Sequence, residues 1–141
     1  LKAVKDELKS VILVTTKNPN SLKDAPFFDS SDIDPGKISE PIILFDGSAK
    51  EAVSLFPKNV NVSALLSMVG LGGNNTSVRV VADPNTSKNT HMIEANGKFG
   101  NLIITVENVP DSTNPKTSRL ATLSAIELLR QICTKGVQIG T

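Results

Sequence analysis

The sequence predicts an α+β fold: a mixed, mostly antiparallel sheet with helices on one face. Strand-like segments cluster, three in succession between Ser77 and Asn108, instead of alternating one for one with helices. Helical apolar spacing is confined to separate stretches, chiefly 48–69 and the segment after 117. Several strands are apolar at both even and odd positions, so both faces of the sheet call for cover. Helices on one side cover only one of them, and a second subunit is the natural cover for the other. With 141 residues, the chain fits a single domain, 1–141, able to bury a core unaided.

In chain order, Leu1, Val4 and Leu8 have helical spacing, ending near Ser10. Ser10 to Thr16 is β-branched and nearly all apolar, a buried strand. Lys17 to Ser39 holds three prolines among clustered Asn, Ser and Asp, and reads as a long irregular surface loop. Pro41 to Phe45 is a short strand that turns at Asp46-Gly47. Ser48 followed by Glu51 forms a capping box for a helix that reaches Phe56, and Pro57 stops it. Asn59 is the expected cap of the next helix, whose Val62, Leu65, Leu66 and Val69 make one stripe until Gly70. Strands follow at Ser77–Ala82, His91–Ala95 and Asn101–Asn108, with a tight turn expected at Asn96-Gly97 and room for it to lengthen through Lys98–Gly100. Thr117 or Ser118 opens the last helix, and Lys135-Gly136 closes it.

Composition excludes several functions. A net charge of +1 provides no field for nucleic acid, and the absence of Trp and Tyr removes the usual stacking platforms for single strands. No run approaches the length of a membrane span. The single cysteine, Cys133, forms no internal disulfide and reads as a small core or semi-buried residue in a reducing, cytoplasmic compartment. One His and one Cys cannot assemble an ordinary zinc site, so no metal is expected. Gly70-Leu71-Gly72-Gly73 follows a helix and precedes a strand, the wrong context for a phosphate loop, so it reads as a helix stop. No GxSxG nucleophile elbow occurs.

His91 remains as the one side chain able to exchange protons near neutrality. It follows a polar turn, Asn85–Thr90, at the start of a strand, where a side chain can project into a cleft. Neutral donors outnumber carboxylates nearby, which suits an anionic substrate, and the helix starts at Asn59 and Thr117 add backbone N–H groups. A structural histidine and a catalytic one are equally compatible with these features.

Five strings occur in order: Leu44 to Ala52; Phe56-Pro57-Lys58-Asn59-Val60-Asn61-Val62; Ala82-Asp83-Pro84 with Asn89-Thr90-His91; Glu107-Asn108-Val109-Pro110; and Asn114-Pro115-Lys116-Thr117-Ser118. Together they resemble the C-terminal domain of the L-aspartate dehydrogenase family over nearly all 141 residues, through Gly140-Thr141. The resemblance implies a catalytic and dimerisation domain normally joined to an N-terminal Rossmann domain that holds most of the NAD or NADP. That domain's glycine fingerprint is absent, and the chain starts at Leu1 inside a helix-like pattern, so an excised piece is expected. It further implies oxidation of L-aspartate to iminoaspartate, which yields oxaloacetate and ammonia or feeds NAD biosynthesis. The family's active-site histidine falls on His91 and its nicotinamide-contacting asparagine on Asn61. Lys58, Lys116 and Ser118 are candidates for the substrate carboxylates. The partners implied are L-aspartate, a second copy in a homodimer, and the Rossmann domain; the dehydrogenase activity requires that domain. Two other readings stay open: a non-catalytic oligomerisation or binding module, and a related amino-acid or homoserine-type dehydrogenase.

Overall fold

The computed structural model describes residues 1–109 and 118–133. The chain divides into two compact units, Leu1–Glu107 and Asn108–Thr141. Five strands form one mixed sheet: β1 (Leu8–Lys17), β2 (Ile42–Ser48), β3 (Thr76–Ala82), β4 (Asn89–Gly97) and β5 (Gly100–Asn108), in the order β2-β3-β1-β4-β5. β1 runs parallel to β3 and antiparallel to β4, and β2 is antiparallel to β3. The connection from β4 to β5 is only Lys98-Phe99, which permits only an antiparallel hairpin. One parallel pair in an otherwise antiparallel sheet is the α+β arrangement the sequence predicts.

Alternation along β1 defines two faces. Val11, Leu13 and Thr15 are buried, and their partners on β3, namely Thr76, Val78 and Val80, are buried as well. This face meets Leu22 of α1 (Pro19–Leu22), Ala49 and Ala52 of α2 (Ala49–Leu55), and Leu66 of α3 (Asn61–Val69) in a single core cluster. The capping box of α2 forms as expected: Ser48 Oγ accepts from the Glu51 backbone N–H, and the Glu51 carboxylate accepts from the Ser48 backbone N–H. The Ser48 hydroxyl also donates to the Glu51 carboxylate, and this bond, with the one from the Ser48 backbone N–H, holds the Glu51 carboxyl below its ordinary pKa. Gly70 caps α3, and Gly72, at φ 82°, donates its N–H to the Ser67 carbonyl, so the glycine run is a helix stop.

Aromatic packing concentrates at one corner. Phe27 stacks on Phe56 with centroids 5.1 Å apart, while Phe28 and Phe45 meet that pair edge-on. The segment 17–39, expected as an irregular surface loop, is therefore anchored: it forms α1 and two 3-10 turns and buries Leu22 and Ala25.

Other expectations are corrected. In place of the expected helix ending near Ser10, Lys2–Glu7 forms a six-residue 3-10 turn, after which Leu8 enters the sheet. Spacing of three between Leu1 and Val4 suits that tighter helix as well as an α-helix. Asp46-Gly47 does not turn; β2 continues to Ser48, carried by the Asp46–Arg79 ion pair across the strands. A Cβ at Gly47 would stand 2.7 Å from the Phe45 ring, so any larger residue there would force the ring to shift. Asn96-Gly97 stays inside β4, since Gly97 lies against the Glu7 carbonyl with no room for a Cβ. The turn falls instead at Lys98–Phe99 before Gly100, whose φ is 116°. Cys133 is exposed at the end of α4 (Arg119–Cys133), not a core residue. The closing residues Lys135-Gly136 and Gly140-Thr141 lie outside the described residues. Among the described residues, no helix is long and apolar enough to cross a membrane.

Phe56, fully buried and touching two other rings, is the test of this corner. Phe56→Ala should lower unfolding free energy by about 3–5 kcal/mol in urea titrations, the usual cost of a large aromatic truncation. Ser48→Ala should lower it by only ~1 kcal/mol through loss of the cap.

Candidate active site

His91 is positioned by the pairing of two strands. It is the direct partner of Thr15 in the antiparallel β1–β4 register, so both side chains project from the same face. That face is the helix-covered one, and His91 stands at the end of the row where the apolar core stops. Ile93 and Ala95 precede it along the core, opposite Leu13 and Val11. The Thr15 hydroxyl is buried and lies 3.1 Å from His91 Nδ1. A hydroxyl can accept from Nδ1–H or donate to bare Nδ1, so the ring stays oriented while Nε2 is left for other chemistry. The strand begins at Asn89, slightly earlier than the sequence indicates.

The approach to His91 is stapled. Asn18 accepts from the Asn20 N–H to cap α1, and its amide donates to the carbonyls of Pro84 and Thr86. The Asp83 N–H donates to the Lys17 carbonyl, and Asp83 Oδ1 accepts from the Asn85 N–H. Beyond this turn, Lys88 pairs with Glu107.

Two effects of the same sign act on the His91 imidazole. Partial burial disfavours its charged form, and the nearby Lys17 ammonium repels a second positive charge. Both hold its pKa below the ordinary value, so the ring is neutral at pH 7 and available as a base. Lys17, itself half-buried at the end of β1, is also held below its ordinary value by desolvation.

The other candidates belong to other elements of the chain. Asn61 is the first residue of α3 and is exposed, and its amide takes no hydrogen bond among the described residues. The cap of that helix is Val60, not Asn59; the Asn59 amide instead donates to the Ser21 carbonyl and ties the α2–α3 connection to α1. Lys58 is exposed and lines a cavity of about 150 Å³ with Asp24, Ala25, Pro26, Pro57 and Asn59. No hydrogen bond joins His91 to Asn61 or Lys58. Ser118 belongs to the second unit, where its hydroxyl accepts from the Ala121 N–H and caps α4. Lys116 and Thr117 lie outside the described residues. No cluster of His, Cys, Asp and Glu among the described residues could hold a metal. Thr15 and Lys17 were missed by sequence reasoning, although they are the polar end of the Val11-Leu13-Thr15-Lys17 row on an otherwise apolar strand.

Known proteins align with this architecture. The family model for the C-terminal part of aspartate dehydrogenase matches residues 1–132. The chain is 61% identical over its full length to an L-aspartate dehydrogenase of Nitrosopumilus maritimus, of which it covers 52%. It is 48% identical over 134 residues to one of Methanosarcina mazei, covering 49% of that protein. Thus the chain spans about half the length of the curated relatives it matches. The crystal structure of aspartate dehydrogenase from Thermotoga maritima superposes with a TM-score of 0.71 at 28% identity, covering 99% of this chain and 50% of that one.

The protonation state of His91 is directly measurable, because it is the only histidine. Its imidazole should titrate below 6.5 by NMR. The unfolded chain then takes up that proton near pH 6.5 and the folded chain only at lower pH. The stability linked to His91 is therefore present above pH 6.5 and is lost as pH falls through the depressed folded value. Urea midpoints should show this loss in the wild type and a weaker one in His91→Gln. With the family model spanning residues 1–132 of a chain whose one histidine is paired with Thr15 across the sheet, the chain belongs to the aspartate dehydrogenase C-terminal domain family.

Proposed function

We propose that this chain is the catalytic half of an NAD(P)-dependent L-aspartate dehydrogenase that converts L-aspartate to iminoaspartate, and thence to oxaloacetate and ammonia, or supplies NAD biosynthesis. The observation that carries this reading is the half-buried, neutral His91, oriented by Thr15 at the open end of the core, in a chain of this family.

The coenzyme would supply the hydride acceptor, while the protein supplies position and proton management. Removal of hydride from an amino acid requires its amine to be neutral, so a base must take the ammonium proton. His91 Nε2 is suited to that, because Nδ1 is engaged by Thr15 and the ring is uncharged at neutral pH. In the reverse direction the protonated ring would donate to the imine nitrogen. Asn61 fits a nicotinamide carboxamide: its amide is exposed, unengaged and set in the first turn of a helix, offering one donor and one acceptor group. Lys58, Lys116 and Ser118 are proposed to contribute to the substrate's carboxylates. Most of the dinucleotide is assigned to a Rossmann domain of the complete protein, and the present chain alone should show no dehydrogenase activity.

A homodimer is proposed as well. Leu102, Ile103 and Ile104 are consecutive on β5, hence on both faces, yet are 37%, 59% and 42% exposed. A second subunit would cover them. A cytoplasmic location fits the lone, unpaired cysteine.

In the complete protein, His91→Ala should lower kcat for aspartate by about 10²–10⁴-fold with coenzyme binding nearly unchanged. Asn61→Ala should raise the coenzyme KM as well as lower turnover. Aspartate oxidation should decline as acid protonates His91, below pH 6.5. Near-normal turnover of His91→Ala at neutral pH would return His91 to a structural role. Light scattering should give twice the monomer mass at micromolar concentration.

A further inference from the structure

Lys17 is the last residue of β1, two positions beyond Thr15, so it lies on the same face of the sheet as the Thr15–His91 pair. Two strand steps separate its backbone from that of Thr15 by about 7 Å. Its stem is half-buried, and its backbone carbonyl is fixed by the Asp83 N–H. Among the described residues no carboxylate neutralises it; the ion pairs there are Lys37–Asp34, Arg79–Asp46, Lys88–Glu107 and Arg130–Glu127. Neighbouring carboxylates are otherwise committed. Asp83 holds the Asn85 N–H, Glu107 holds Lys88, and Glu94 sits an odd number of residues from His91, on the opposite face of β4. A half-buried cation without a counter-ion is costly, and the structure tolerates one beside its only imidazole.

We propose, building on the dehydrogenase reading, that Lys17 binds a carboxylate of the substrate next to His91 and thereby selects acidic amino acids. In a four-carbon amino diacid the amine and the side-chain carboxylate are only a few bonds apart, so a single molecule offers the amine to His91 and a carboxylate to Lys17. The bound carboxylate becomes the counter-ion that the described residues do not supply. Charge and reach both count, because an amino acid with a methyl side chain leaves Lys17 unpaired.

The test uses the complete protein with its dinucleotide-binding half. Lys17→Met keeps the length and apolar stem but removes the charge. It should raise the KM for L-aspartate roughly 10- to 100-fold, the usual effect of losing a charged hydrogen bond, and leave the coenzyme KM unchanged. Its preference for L-aspartate over L-alanine should shrink by a similar factor, and Lys17→Arg should recover part of it. Independently of turnover, NMR titration of this chain carrying Lys17→Met should show the His91 imidazole titrating at higher pH than in the wild type. Should Lys17→Met fold poorly by circular dichroism, Lys17→Gln and Lys17→Arg supply the same comparison. An unchanged aspartate KM, with His91→Ala inactive, would overturn the role of Lys17 alone. A fall in kcat at constant KM, or an unmoved His91 titration, would overturn it too. Activity retained by His91→Ala would instead bring down the dehydrogenase reading itself.

Discussion

The register of β1 against its two neighbours is the constraint on which the rest of this structure depends. β1 is the central strand, parallel to β3 on one side and antiparallel to β4 on the other. Because strand side chains alternate between faces, a slip of one residue would turn Val11 and Leu13 out of the core. The same slip would turn Thr15 away from the helices and part it from His91. Core formation and site formation are thus one event. The apolar part of the row sets the register, and its polar end receives its geometry as a result. The β-bulge between Leu8 and Ser10 confines irregularity to the far end of the strand, away from the site.

How much was legible in the sequence depends on how local the cause was. The α2 capping box needs only Ser48 and Glu51, three residues apart, and was readable directly. So was the helix stop at Gly70–Gly73, and so were the apolar strands. Features fixed by distant partners were not readable. Asn59 is an excellent capping residue by type, but its amide is spent on Ser21, 38 positions away. Asn96-Gly97 has the composition of a turn, yet Gly97 is glycine because the Glu7 carbonyl presses on it. Asp46-Gly47 also reads as a turn until Arg79 and the Phe45 ring are placed beside it. In the site, His91 stood out because it is unique, whereas Thr15 gains meaning only from pairing with a residue 76 positions on.

Electrostatics at His91 has a consequence for timing in the proposed complex. Burial and Lys17 both oppose a proton on the ring while the site is free of anion. A substrate carboxylate on Lys17 would cancel one of these two effects and raise the proton affinity of the imidazole. The base would then become stronger at the moment the substrate amine must lose its proton. Asn18, by holding the Pro84 and Thr86 carbonyls, keeps the turn before His91 from relaxing as those charges change. Preorganisation of this kind spares the site a reorganisation cost during reaction.

The aromatic corner has an optical consequence. With no Trp or Tyr in the chain, its near-ultraviolet signal comes from five phenylalanines, and four of them, Phe27, Phe28, Phe45 and Phe56, form one contact cluster. The asymmetry that circular dichroism detects in that region is therefore a report on one corner, not an average over the molecule. That corner leads through Pro57 and Lys58 to Asn61, so a ligand that reorders the start of α3 would register there against a dark background. The chain also contributes no indole emission, so the fluorescence of a reduced nicotinamide added to it would be read against a dark background.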